Sequence, residues 1–181
     1  MKTQVLLALS LAVAATSASA QTGYLGALAG LSRISVDCTA PLTSCRDTDV
    51  GFKVYGGYEV MPKVYAELAY TSFGTVSARI GSLEEMYKAR AWSLSAAYRH
   101  PLPHDLTAVA RLGLAMVTTR HTRSYGDRDS SSSVRLYGGL GLDYLLIDNI
   151  RLVSSVDLTT GSASGDGMLL YVMGAGVQGE F

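Results

Sequence analysis

Several kinds of residue are scarce in this sequence, and each scarcity removes a class of protein. There is no basic excess: 15 Lys and Arg stand against 15 Asp and Glu, so a nucleic-acid partner, which calls for surplus positive charge, is excluded. No apolar run reaches the roughly 20 residues of a membrane-crossing helix. The longest, Val5 to Ala15, is too short, and no stop-transfer pattern follows it. Cysteine is limited to Cys38 and Cys45. Neither lies where a lipoprotein anchor would need it, and no histidine is near enough to complete a metal site. Histidine itself is limited to His100, His104 and His121. The first two sit in the proline-containing turn HPLPHD and the third in a flexible-looking Ser-rich stretch, so no general base is well placed. No cofactor is expected.

What is present begins with an export signal. Lys2, the apolar run and Ala18-Ser19-Ala20 before Gln21 have the layout of a secretory leader with its cleavage site. Residues 1–20 are therefore expected to be removed, and residues 21–181 to form one domain of about 160 residues. Without Lys2 the basic count falls one short of the acidic count, a net charge near neutral. In an exported chain the closely spaced pair Cys38 and Cys45, within SVDCTAPLTSCRDTD, is expected to form a disulfide. Closing so short a loop would stabilise by roughly 2.5 kcal/mol.

From Gly51 to Gly74 the chain reads GFKVYGGYEVMPKVYAELAYTSFG, two alternating arms around a turn at Val60 to Lys63. Phe52, Val54, Gly56 and Tyr58 share one parity; Val64, Ala66, Leu68 and Tyr70 share the matching one. The charges fall on the other. Side chains alternate along a strand, so this is a period-two pattern. The pattern recurs in Thr22 to Ser32, Ala91 to Arg99, Leu106 to Met116, Val134 to Tyr144, Ile150 to Leu158 and the final strand to Phe181. In the first of these Leu25, Ala27, Ala29 and Leu31 are placed on the apolar face. Short turns alternate with longer polar segments, Thr75 to Arg90, Thr118 to Ser133 and Thr160 to Gly167, all expected to be loops. The result is an all-β, eight-stranded antiparallel up-and-down transmembrane β-barrel. Its strands of about 9–11 residues are the length that crosses a bilayer core.

A soluble barrel would keep the apolar parity inside. The aromatics argue for the reverse. Tyr58, Tyr98, Tyr144 and Phe181 end the apolar faces on one side, and Phe52, Tyr70, Trp92 and Tyr171 end them on the other. Two opposed girdles suit two membrane interfaces. The other parity is then a lumen. It carries Lys53, Arg99, Arg111, Arg135 and Arg151 against Glu59, Glu67, Asp143, Asp157 and Glu180. Balanced charge in so narrow an interior is expected to pair into a network that closes the lumen.

The hairpin run quoted above, with GYLGALAGLSR, ARLGLAMV and the terminal GAGVQGEF, resembles the OmpA-like β-barrel family of bacterial outer membranes over residues 22–181. The resemblance implies residence in the outer membrane, contact with its lipid and lipopolysaccharide, and insertion by the barrel-assembly machinery. It also implies a central lumenal ion pair, for which Glu67 and Arg111 stand at similar positions. The sequence carries no match to the peptidoglycan-binding domain of longer members, so cell-wall anchoring is not expected.

The leading expectation for function is a small structural outer-membrane barrel with exposed outer loops. A surface recognition or adhesin-type protein is the alternative, in which residues 119–133, with Arg120, Arg123, Arg128 and Tyr125, meet a host or surface ligand through anionic groups. A small porin-like channel and a lipid-modifying enzyme are further alternatives. The chain lacks the His-x-Ser-Asn pattern of the deacylases, and no enzyme activity is expected.

Overall fold

The computed structural model describes residues 23–35, 44–80, 83–123, 128–163 and 166–181. The expected leader and Cys38 lie outside these residues, as does the side chain of Cys45, so the disulfide does too. The strands are β1 (Gly23–Ile34), β2 (Ser44–Arg46), β3 (Thr48–Met61), β4 (Val64–Ile80), β5 (Leu83–Pro101), β6 (Leu106–Arg123), β7 (Arg128–Ile147), β8 (Ile150–Ala163) and β9 (Asp166–Glu180). All neighbouring pairs are antiparallel. Around the ring the order is β4-β3-β1-β9-β8-β7-β6-β5, and β5 pairs back onto β4, so eight strands close into a barrel. The seam between first and last strands is held by pairs such as Gly30↔Gly174 and Leu28↔Gly176. Closure leaves no sheet edge to be satisfied in lipid, where an unpaired backbone group has no water to turn to. The ninth strand, β2, is short and lies beside β4 beyond the end of β3, with Cys45 opposite Ala78.

The barrel is apolar outside. Leu112, Leu136 and Leu140 are 70%, 73% and 69% exposed, whereas Lys53 and Glu67 are fully buried. In β1, Leu25 and Leu31 point outward and Tyr24 and Leu28 inward. Tyr58, Tyr98, Tyr144 and Phe181 lie on the outer wall at the end where Gly23 pairs with Tyr58 and exchanges backbone bonds with Phe181. Toward the other end, Phe52, Tyr70 and Trp92 form a contiguous row, with ring centroids 6.0 and 5.0 Å apart.

The polar segments expected as loops need correction. β4 runs on to Ile80 and β5 begins at Leu83; β6 reaches Arg123 and β7 starts at Arg128; β8 and β9 extend to Ala163 and Asp166. The eight barrel strands are 12 to 20 residues long, not 9–11. Alternating hydrophobicity marks where lipid ends, not where the sheet ends. Beyond the bilayer the outer face of a strand meets water in place of lipid, and the backbone ladder continues without an apolar outer face.

At the opposite end the hairpins are tight. Lys63 turns β3 into β4 with φ of 70°, and His104 and Asp105 do the same between β5 and β6 with φ of 63° and 58°. Gly74, at φ of 73°, sits where the register between β4 and β5 shifts, and the adjacent Thr75 N–H donates to Asp49 Oδ2 at 2.6 Å. At the long-stranded end, outside the membrane span, the Thr48 hydroxyl donates to Asp47 Oδ1 at 3.0 Å and Arg33 Nε to Asp47 Oδ2 at 2.5 Å. These two donors, the hydroxyl first, hold the Asp47 carboxyl below its ordinary value.

Candidate functional site

The candidate site is the lumen, and its side chains fall into three layers. The middle layer is ionic. Lys53 Nζ on β3 lies 3.2 Å from Glu67 Oε1 on β4 and 3.1 Å from Asp157 Oδ1 on β8. Arg111 Nε on β6 donates to both Glu67 oxygens at 3.0 Å. The Tyr24 hydroxyl donates to Glu67 Oε2 at 2.8 Å, and Lys53 Nζ donates to the Tyr137 hydroxyl at 2.8 Å. Tyr137 in turn donates to Asp157, whose other oxygen accepts from Ser155 Oγ at 2.8 Å. Two cations and two carboxylates, all buried, thus neutralise one another. Burying them is tolerable only because each is paired and hydrogen-bonded.

Glycine makes room for this layer. A Cβ at Gly26 would lie 2.5 Å from the Tyr55 ring, and one at Gly141 would lie 3.1 Å from Arg111 Nη1. Gly57 faces the Tyr24 ring in the same way and Gly139 the Asp157 carboxylate. Lys53 and Arg111 then rest over the face of Tyr55, 4.9 and 5.5 Å from its centroid, an attraction strengthened by their removal from water.

A second ionic layer lies toward the tight-turn end. Arg99 Nη2 is 3.1 Å from Asp143 Oδ2 and 2.8 Å from Glu180 Oε1, and Arg151 Nε is 2.7 Å from the same Glu180 oxygen. Arg151 Nη1 also donates to Thr107 Oγ1 at 3.2 Å. Gln178 joins the two ionic layers, accepting from the Tyr55 hydroxyl and donating to Glu180, both at 3.2 Å. Below Arg99 a cavity of about 230 Å³ opens to this end, bordered by Tyr65, Lys63, Arg151 and Glu180.

The third layer is apolar and was missed. Ile34, Phe73, Ala115, Val117, Leu170 and Val172 are buried together inside the long-stranded half, with Tyr137 touching both this cluster and the ions. The signal was available: in Leu169-Leu170-Tyr171-Val172-Met173 both parities are apolar, which a strand wetted on one face does not need.

The expected lumenal charges therefore divide. Lys53, Glu67, Arg111 and Asp157 come together in one group, and Arg99, Asp143, Arg151 and Glu180 in another. Two are corrected in position. Glu59 lies at the mouth, its carboxylate accepting the Lys63 N–H at 3.0 Å in the tight turn. Arg135 is half-buried toward the long-stranded end, where its Nε donates to Ser133 Oγ at 3.3 Å. Both have the lumenal parity, but each sits beyond the level of the paired layers. His100 is on the outer wall, stacked at 6.3 Å on Tyr98, and His104 occupies the turn; the His121 side chain is outside the described residues. Among the described residues no cluster of three His, Cys, Asp or Glu side chains could hold a metal.

Residues 18–155 match the OmpA-like transmembrane domain family. Outer membrane protein A of Escherichia coli O157:H7 is 31% identical over 160 residues, covering 82% of this chain and 44% of that protein. The chain spans less than half the length of the curated relatives it matches. Among solved structures, Neisserial surface protein A superposes with a TM-score of 0.66 at 16% identity, over 88% of this chain and 97% of that one. The N-terminal β-barrel domain of Pseudomonas aeruginosa OprF gives 0.59 at 18% identity, over 90% and 100%.

Proposed function

Because this chain belongs to the OmpA-like transmembrane domain family of outer-membrane β-barrels, we propose that it is a small structural barrel whose lumen is closed to solutes. Residues 1–20 act as a cleaved leader and residues 21–181 are the barrel, seated in outer-membrane lipid and lipopolysaccharide after insertion by the barrel-assembly machinery. The long-stranded end faces outward and the tight turns face the periplasm. No catalytic role is assigned.

The observation that carries this reading is the stacking of the fully buried Lys53–Glu67–Asp157 group beneath the apolar Val117, Leu170 and Val172. A permeating ion would have to break paired charges and then pass a cluster dominated by apolar side chains, where the hydroxyls of Ser32 and Thr159 already donate to backbone carbonyls; a hydrophobic constriction of this kind resists wetting. Planar-bilayer recording with purified protein tests it. Low or only transient conductance is expected; a steady, large conductance would replace the structural reading with a porin.

Surface recognition is the second reading, favoured by the length of β5, β6 and β7. From Trp92 to Leu83, β5 continues for about 30 Å of extended chain beyond the aromatic row, enough to lift a sheet well clear of the lipid. Within residues 119–133, the backbone of Thr119 to Arg123 and Arg128 to Ser133 belongs to these strands, and residues 124–127 lie outside the described residues. Deleting 119–133 would abolish binding to a host or surface ligand if this reading holds.

A further inference from the structure

On the outer wall of β5, β6 and β7 the surface changes character within a single step of the ladder. The row Tyr70↔Trp92↔Met116↔Val134 is apolar, with Trp92, Met116 and Val134 all exposed. Two residues farther along the same face the row is Ser72↔Arg90↔Thr118↔Ser132, and the next contains Lys88↔Arg120↔Ser130. Lys88, Arg90 and Arg120 are all exposed on this face. Lys88 and Arg120 are direct cross-strand partners, and Arg90 lies diagonal to Arg120. Like charges placed opposite one another on paired strands repel. Among the described residues none of the three has an acidic partner that would relieve the repulsion, whereas Lys53, Arg99, Arg111 and Arg151 in the two ionic layers each have one. The adjacent hydroxyls of Thr118 and Ser132, 3.0 Å apart, add hydrogen-bonding groups.

We propose that Lys88, Arg90 and Arg120 form a binding site for the phosphate groups of an anionic outer-leaflet lipid, whose acyl chains lie on Tyr70, Trp92 and Met116. The assignment deepens the reading above, since it rests on the long-stranded end facing outward. It does not depend on whether the lumen conducts. The vertical order fits the occupant: an aromatic row marks the edge of the hydrocarbon, and headgroup phosphates lie immediately above it. Guanidinium groups bind such oxygens through paired, charge-assisted hydrogen bonds. A bound phosphate would also cancel the repulsion between Lys88 and Arg120. This site is on the wall of the barrel, distinct from a loop-tip ligand site.

Trp92 is the single tryptophan of the chain and stands next to Arg90 on the same face, so it reports on the site directly. The full-length mature protein, folded in zwitterionic micelles, is titrated with bisphosphorylated lipid A while Trp92 emission is followed. A saturable change is expected, weakening with added salt. In the variant Lys88→Gln/Arg90→Gln/Arg120→Gln the midpoint should rise about tenfold or more, consistent with the loss of charged hydrogen bonds, while Lys63→Gln at the opposite end leaves it unchanged. Retained strand content in far-ultraviolet spectra, and near-normal binding by Arg90→Lys, exclude misfolding as the cause. Equal binding of dephosphorylated lipid A, or an unchanged midpoint in the triple variant, overturns the site. If inorganic phosphate gives the same response at the same midpoint, the site is one for a free anion, and the lipid assignment fails. Conductance, recorded separately on the same preparations, tests the closed lumen independently.

Discussion

Glu67 is the residue on which the middle of the lumen depends, because it accepts from Lys53, Tyr24 and Arg111 at once. Replacing it by Ala leaves Arg111 buried with no carboxylate at its Nε. Unfolding of Glu67→Ala by urea from lipid vesicles should show a loss of about 3–5 kcal/mol, the usual cost of stranding one member of a buried pair. Asp47 offers a contrast, since it is near the surface and titrates against water. Its folded carboxyl is held below the ordinary value by Thr48 and Arg33, so its contribution is present above the unfolded pKa and is lost as pH falls through the lower folded pKa. The backbone bond from the Ile34 N–H to the Asp47 carbonyl, 2.9 Å long, reports on this corner. Hydrogen exchange at the Ile34 amide, corrected for intrinsic rate, should keep its protection from neutral pH down to about 5 and lose it only below about 4. Both residues were legible in part: Glu67 by its parity, Asp47 only as one acid in a polar stretch, because Arg33 reaches it from β1, 14 positions away.

Among the elements, β7 shows most clearly what alternation does. Leu136, Leu140 and Leu142 face lipid, while Tyr137, Gly139 and Asp143 face the lumen. Leu140 lies midway between the apolar row at Val134 and the girdle at Tyr144, so it is near the centre of the bilayer. Leu140→Arg should therefore lower stability in vesicle-based unfolding by about 2–4 kcal/mol; a loss near zero would place this face in contact with water. Which of the eight barrel strands exist could be read from the period-two pattern, and which way they face from the aromatics that end it. Strand length could not, since the ladder beyond Trp92 is held by backbone bonds that Ser, Thr and Arg satisfy as well as Leu does. The short β2 had no pattern of its own: three residues, Ser44–Arg46, pair with β4 only because the hairpin of β4 and β5 rises past the end of β3 and leaves an edge there.

For the whole molecule, the proposed closure puts the ionic and apolar layers in series along one axis, so opening either one alone should not make a channel. Glu67→Ala by itself is expected to weaken the barrel yet remain poorly conducting in planar bilayers, because Val117, Leu170 and Val172 stay in place. Adding Leu170→Ser and Val172→Ser should raise the conductance several-fold above either change made separately. Equal conductance for single and combined variants would mean that the layers do not both obstruct the path.

The sequence by itself determined that this is a β-barrel turned apolar side out: parity, the two aromatic girdles and the balanced lumenal charges are local properties, set every second residue. It also determined which charges take the lumenal parity. Only the tertiary structure decided how those charges divide, because Lys53 meets Asp157 across 104 positions of chain and Arg99 meets Glu180 across 81. The height at which each side chain enters the lumen depends on the stagger of all eight strands. That stagger places Glu59 and Arg135 beyond the paired layers, brings Leu170 and Val172 together as an apolar layer, and sets Lys88 opposite Arg120 on the outer wall. Parity fixes the side a residue faces, but registry between distant strands fixes its level, and registry is a property of the closed barrel.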